Sequence, residues 1–207
     1  MRRIFLAIVA AAAVALPAGA HSGSGWVRHQ GDGGFSLELP VSWADESNDR
    51  ARLIREVRRL AGDEPQVAAL MDNLLAVRET NIAVKMIAFD LAPSSLRNGF
   101  ATNLNVVTER TALPLAVWRQ EALKQLAKVG FVVQPIWWRM VKLPAGKAVR
   151  LTYRARFNVG GKQLVTAMTQ YALVNRGAAV ILTYTTLPKL AKAYRATFER
   201  SARSLRF

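Results

Sequence analysis

Between Phe131 and Leu187 the chain is cut into extended segments by tight turns, with no room for a helix between them. Apolar, β-branched and aromatic residues recur through 131–143, 147–159, 162–175 and 178–187. Gly160-Gly161 joins the second segment to the third, and Asn175-Arg176-Gly177 joins the third to the fourth. A two-residue glycine connection is a hairpin signal, because glycine accepts the positive φ that a tight β-turn imposes. Strands linked in this way run antiparallel. This run therefore dictates an antiparallel sheet of at least four strands, and everything else in the chain has to cover it.

The remaining segments supply that cover. Residues 35–40, Phe-Ser-Leu-Glu-Leu-Pro, alternate apolar and polar as a half-buried strand does, and Trp43 follows just beyond Pro40. Leu53, Ile54, Val57, Leu60 and Ala61 share one helical face within 50–61, which the Gly62-Asp63-Glu64-Pro65 break ends. A second helix follows, with Val67, Leu70, Met71, Leu74 and Leu75 facing inward. Two strands come next, over 81–92 and 102–109. Pro114 opens a third helix whose inner stripe is Leu115, Trp118, Ala122, Leu126 and Val129, and Gly130 stops it. A last amphipathic helix over 189–204 uses Leu190, Tyr194, Phe198 and Ala202. The expected fold is α+β: an α/β/α sandwich with a mainly antiparallel sheet covered by helices.

Residues 1–20 read as a secretory signal peptide. Arg2 and Arg3 precede an apolar run from Ile4 to Leu16, Pro17 breaks the run, and Ala18-Gly19-Ala20 is a small-x-small cleavage pattern. Residues 21–33 are expected to form a flexible mature terminus and 34–207 a single domain, periplasmic or secreted. The chain has no cysteine, which excludes thiol catalysis and thiolate metal sites and leaves no lipidation site after the leader. The leader holds two of the 29 basic residues and none of the 14 acidic ones, so the remainder carries a net charge of +13. No Asp or Glu lies between Ala122 and Phe198, whereas thirteen basic residues do. A one-sign field attracts polyanions. Two readings of the excess stand: attraction of an acidic partner, and a compositional bias in which Arg outnumbers Lys 21 to 8.

Three local patterns, in this order, resemble the PsbP-like superfamily. Gly34-Phe35-Ser36-Leu37-Glu38-Leu39-Pro40 followed by Trp43 is similar to its first strand. Asn103-Leu104-Asn105-Val106 is similar to its mid-domain strand, and Ile181-Leu182-Thr183-Tyr184 with the helix running to Ser201 and Leu205 to its close. The superfamily includes the extrinsic PsbP subunit of photosystem II, a nuclear-import cofactor that binds a small GTPase, and exported bacterial proteins such as the actinobacterial LpqN-type lipoproteins. The resemblance implies a binding role without a shared active site. It carries over no metal or GTPase contacts to positions of this chain, which also lacks the lipidated cysteine of the lipoprotein members.

Catalytic constellations are scarce. His21 and His29 are the only histidines, both near the expected mature terminus, which argues against an interior triad or a multi-histidine metal site. Ser94 and Ser95 lack the Gly-x-Ser-x-Gly elbow and read as loop polars. Asp45, Glu46 and Asp49 read as acids favoured at the N-terminus of the helix that follows. No catalytic residue, metal site or cofactor is expected, and Gly31-Asp32-Gly33-Gly34 is a turn rather than a phosphate loop.

Two features remain as candidate surfaces. Along 147–159, Val149, Leu151, Tyr153, Ala155 and Phe157 point one way and Arg150, Arg154 and Arg156 the other. The Gly160-Gly161 turn sets Arg150 opposite Tyr171, and Val180 and Tyr184 continue that face. Arg150, Arg154, Arg156, Tyr171 and Tyr184 are the binding candidates, since Arg beside Tyr suits an anionic or stacking ligand. The alternative is a solvated sheet face. Trp137 and Trp138 are adjacent on a strand, face opposite sides, and are expected in the core, with contact to a carbohydrate or a protein as the alternative. The Arg52, Arg55, Arg58 and Arg59 stripe reads as a solvated helix face, with a membrane-surface helix as the alternative.

The reading is an exported, non-enzymatic binding or accessory protein, bacterial in type, contacting an acidic protein or anionic envelope component, with no specific nucleic acid. The alternatives are a carrier of an amphiphilic anionic lipid, which requires a closed apolar pocket rimmed by Arg, and a hydrolase, which requires paired carboxylates in a cleft. Export makes the first prediction. N-terminal sequencing of protein recovered outside the cytoplasm should start at His21, within a residue or two, and an intact Met1 would show an uncleaved leader.

Overall fold

Strand β7 (Gly146–Val159) and strand β8 (Lys162–Asn175) form a hairpin fourteen residues deep on each side. Val159 pairs with Lys162 and Arg150 with Tyr171, the register that a two-residue loop requires. At the next turn Asn175 pairs with Ala178, and the two loop residues, Arg176 and Gly177, have φ of 46° and 77°. Positive φ at both central positions matches the right-handed twist of the flanking strands, and glycine supplies one of them without a Cβ penalty. Strand β9 (Ala178–Thr186) follows.

The computed structural model describes residues 25–46, 55, 84–92, 95, 100–159 and 162–207. The leader, the two helices expected between residues 50 and 75, and most of the arginine stripe lie outside the described residues. The other strands are β1 (Trp26–Gly31), β2 (Phe35–Pro40), β3 (Trp43–Asp45), β4 (Val84–Asp90), β5 (Asn103–Arg110) and β6 (Val132–Leu143). Helix α1 spans Leu115–Lys128 and helix α2 spans Ala191–Arg203 after a single 3-10 turn at Pro188–Leu190. The described main sheet has the order β3-β4-β5-β9-β8-β7-β6, and every neighbouring pair is antiparallel. Hairpin β1-β2 is separate. The fold is α+β, with one described helix on each face of an antiparallel sheet.

One face packs under α2 and the β1-β2 hairpin. Leu37, Leu39, Trp43, Leu104, Leu182, Tyr184, Phe198 and Leu205 meet there, all buried. Phe198 of α2 stacks on Tyr184 with ring centroids 4.7 Å apart, and Tyr184 donates its hydroxyl hydrogen to Ser201 Oγ at 2.9 Å. The chain end is held by backbone exchange between Ser36 and Arg206, 3.0 and 2.9 Å. The opposite face packs under α1, where Trp118, Ala122 and Leu126 meet Val149, Leu151, Tyr153 and Ala155. Those are the stripe expected for that helix and the inward set expected for β7.

Trp26–Gly31, expected within a flexible terminus, is instead strand β1, paired residue for residue with β2. The alternation of β2 alone did not reveal its partner, because the exposed Val27 and Arg28 leave β1 without a continuous apolar face. The hairpin turn is closed by contact: a Cβ on Gly31 would lie 2.0 Å from Phe35 Cζ, so only glycine fits there.

The chain holds four tyrosines, Tyr153, Tyr171, Tyr184 and Tyr194. Burial pushes the ionisation of each upward, and at Tyr194 the charge of Asp90 adds to it. Unfolded tyrosine ionises near pH 10. Folded-state values above that mean a stability contribution that is complete below about pH 10 and is lost as pH rises towards the folded values. Titration followed at 295 nm should show little tyrosinate until a cooperative alkaline unfolding, at which it appears together with loss of the far-UV signal. Gradual tyrosinate formation near pH 10 without unfolding would contradict this packing.

Candidate functional site

The sheet outgrows its cover at the β6-β7-β8 end. A fourteen-residue strand is about 46 Å long at about 3.3 Å per residue, whereas a thirteen-residue helix is about 20 Å at 1.5 Å per residue. On the α2 face, Arg150, Thr152, Arg154 and Arg156 of β7 lie opposite Tyr171, Thr169, Ala167 and Val165 of β8. The β6 side adds Arg139 opposite Arg150 and Trp137 opposite Thr152. Arg195, on the N-terminal half of α2, closes the inner wall. The result is an open groove of about 420 Å³ lined by Trp137, Arg150, Thr152, Arg154, Thr169 and Arg195 among others, with no acidic residue in its lining. A hollow of about 280 Å³ adjoins it and brings in Trp138 and Arg139.

Arg150 and Arg154 thus come together in the groove. Arg156 is exposed farther along the same strand and lines neither hollow. Tyr171 lines neither hollow: it is 2 % exposed, and the Arg150 guanidinium carbon sits 5.8 Å from its ring centroid. Tyr184, expected on the contact face, is fully buried, with its hydroxyl engaged by Ser201 and its ring under Phe198. It shares the sheet face with Arg150, but helix α2 covers that part of it.

The tryptophans reverse the expectation. Trp137 is 66 % exposed and Trp138 47 %. The reason is position: β6 is the outer strand of the described sheet, α2 packs over strands farther in, and α1 reaches β6 but leaves Trp138 half exposed. Trp138 lies on the α1 side, where the Arg119 guanidinium carbon stacks 3.9 Å from the ring centroid. Trp137 lies on the groove side. The turn at Pro144-Ala145 pairs Leu143 with Gly146, and counting back from it pairs Trp137 with Thr152. That turn was the signal that could have placed Trp137 and Arg139 at the site. Arg195 could be placed only by the docking of α2.

Two other polar clusters are internal. His29 is buried, with Nδ1 hydrogen-bonded to the Asp45 carboxylate. This corrects the expectation that no histidine is interior, and it follows from β1 folding over the sheet. Asp45 is likewise a strand residue, paired with Ala88. Glu46 is buried beside it, and Asp49 lies outside the described residues. Asp90 accepts hydrogen bonds from the Tyr194 hydroxyl and from the Ala92 amide. Ser95 is buried and accepts from the Thr102 amide at 3.1 Å, an architectural role; Ser94 lies outside the described residues.

No family model matches the chain, and no curated protein matches it in sequence. Among solved structures it is similar to cyanobacterial PsbP from Synechocystis, at 15 % identity over 91 % of this chain and 97 % of that one, TM-score 0.49. It is similar to LpqN of Mycobacterium tuberculosis, a protein involved in cell envelope biogenesis, at 11 % identity over 87 % of this chain and 89 % of that one, TM-score 0.44. A Pseudomonas aeruginosa protein of unknown function is similar at 18 % identity over 51 % of this chain and 72 % of that one, TM-score 0.41. These likenesses name neither a partner nor a reaction. No described helix is long and apolar enough to cross a membrane.

On the α1 side of the sheet, Gln170 donates to Thr183 Oγ1 at 3.0 Å, but Thr185 Oγ1 and both amide atoms of Asn105 are buried without a partner among the described residues. An orphaned buried polar group costs about 1–3 kcal/mol, and an apolar isostere removes that cost. Thr185→Val should therefore raise the urea midpoint with an unchanged slope, by about 1 kcal/mol of stability. A loss of stability would show that the hydroxyl has a bound partner in solution.

Proposed function

We propose that the protein is an exported, non-enzymatic binding or accessory protein. Its groove at Trp137, Arg150, Arg154 and Arg195 holds an acidic component of the cell envelope or its surroundings. The observation that carries this reading is the cross-strand pair Arg139–Arg150 in a lining without a carboxylate. Like charges directly opposite on neighbouring strands are destabilising, and an anion between them turns that cost into attraction. Glu199 of α2 bears on Tyr171 beneath the arginines, but one carboxylate does not balance Arg139, Arg150, Arg154 and Arg195. Arg150 is half-buried, and the accessible part of its guanidinium supplies charge-assisted donors for the anion.

The other readings fit less well. A lipid carrier needs space between sheet and helix, but under α2 that space is filled by Tyr171, Tyr184 and Phe198. A hydrolase needs paired acids in a cleft, and the groove lining has none. The leader is consistent with work outside the cytoplasm, where anionic headgroups, wall polymers and acidic proteins are the available partners.

The triple variant Arg150→Ala/Arg154→Ala/Arg195→Ala should lose about tenfold or more in affinity for phosphatidylglycerol vesicles or a polyglutamate chain at low salt. Three exposed charge contacts of roughly 0.5 kcal/mol each are of that order. The difference from wild type should shrink as salt rises, because exposed charges are screened beyond about 8 Å at physiological ionic strength. Arg156→Ala alone should change little. A folded triple variant that binds both probes as wild type does would show that the groove is only a solvated face.

A further inference from the structure

The groove accounts for one side of strand β6 but not for the strand as a whole. Among the described residues β6 is the outer strand of the sheet, twelve residues long and paired on one side only, with β7. An outer strand presents unpaired backbone N–H and C=O groups, and proteins ordinarily blunt such an edge by shortening, covering, charge, proline or a bulge. Pro135 and the register shift between Val133 and Trp137 blunt the start of β6, and from Trp137 to Leu143 the strand has neither and pairs regularly with β7 on its other side. Trp137, Trp138 and Met140 stand 66 %, 47 % and 45 % exposed, on both faces of the same edge. Three solvent hollows border β6: the two at the tryptophans, and one of about 550 Å³ along Met140 to Lys147.

The charge on this edge has one sign on both faces. Arg139 stands opposite Arg150 on the groove side, and Lys142 stands opposite Lys147 on the other. Arg119 stacks over Trp138 on that second face. No acidic residue lies within β6 or β7. A second copy of this chain would bring two such cationic edges together, so charge rejects that occupant. An extended acidic segment fits: it satisfies the edge backbone, lays apolar side chains on the two indoles, and neutralises both like-charged pairs.

We propose that β6 is a docking edge at which an extended, acidic segment of a partner protein adds as an eighth strand, with acidic side chains on both of its faces. This rests on the reading of the basic groove as a partner surface and deepens it, since one face of the added strand abuts that groove. Main-chain pairing gives such contacts their affinity, and alternate side chains give their specificity.

The probe is a capped twelve-residue peptide repeating Glu-Glu-Val-Val, which places acid and apolar residues alternately on each face. A second version carries N-methyl groups on alternate amides, which removes the edge hydrogen bonds and keeps the charge. The full exported chain should bind the first peptide with a change in tryptophan emission, and bind the methylated peptide at least tenfold more weakly. Trp137→Ser/Trp138→Ser, at exposed positions that leave the core intact, should weaken the first peptide at least tenfold. Equal binding of the two peptides overturns the docking edge, as does failure of the first peptide to bind. So does a dimer in sedimentation velocity that the tryptophan variant dissolves, since β6 would then pair with a second copy. The groove is read separately, by whether Arg154→Ala/Arg195→Ala weakens binding to phosphatidylglycerol vesicles. The edge can fail while that dependence persists, and the reverse.

Discussion

The length mismatch between strands and helices governs this structure. Strands β7 and β8 run about 46 Å, more than twice the span of a helix of thirteen or fourteen residues. Helices α1 and α2 can therefore bury only part of each face, and burial is the dominant stabilising term. The apolar residues of β7 and β8 follow that limit. Tyr171 and Leu173 lie beneath α2, and Val149, Leu151 and Tyr153 beneath α1, all buried. Arg154 and Arg156 lie where the α2-side cover has ended, and both are exposed. The site is the uncovered end of a long hairpin, populated by residues that tolerate water.

The position of α2 decides how much of that end is left open, and polar pins set it. Tyr194 bonds the Asp90 carboxylate at the end of β4, and Tyr184 bonds Ser201 from below. Glu38 donates its amide to Ser204 Oγ at 2.6 Å, which ties the helix end to hairpin β1-β2. The Tyr184–Ser201 bond is buried and the other two are part-buried, and breaking the buried one leaves a lone, unsatisfied partner in the core. With both ends fixed, Arg195 is held at the groove one turn from Tyr194's neighbour Phe198. The site's fourth cation is thus positioned by bonds made some distance away.

Much of the fold was legible because its signals are local. Turn residues at 160–161 and 175–177 set strand pairing, and the pairing set Arg150 against Tyr171. Alternation along β7 separated core residues from arginines. Less was legible about exposure, because exposure depends on which strand is outermost. Trp137 and Trp138 are large apolar residues that are highly buried on average, yet their strand is last in the described sheet, whose order no turn reveals. Tyr184 failed in the other direction: its face was right, but helix cover removed it from the surface. Strand β1 was missed because its pattern has no continuous apolar side, and its partner supplies the alternation.

The same reasoning explains why cations cluster where they do. A basic residue in a covered strand must either be paired or pay for desolvation. Over the uncovered end neither condition applies, so arginine can occupy alternate positions 154 and 156 on one face of β7 at little cost. Solvation alone would permit this but would not select it, since glutamate is equally well solvated and would relieve the Arg139–Arg150 and Lys142–Lys147 contacts. That neither β6 nor β7 holds an acid leaves repulsion across two cross-strand pairs, one on each face, uncorrected within these strands. Such repulsion is reduced by dispersed counterions in water and removed by an ordered anion, and only the second makes use of two indoles standing beside it.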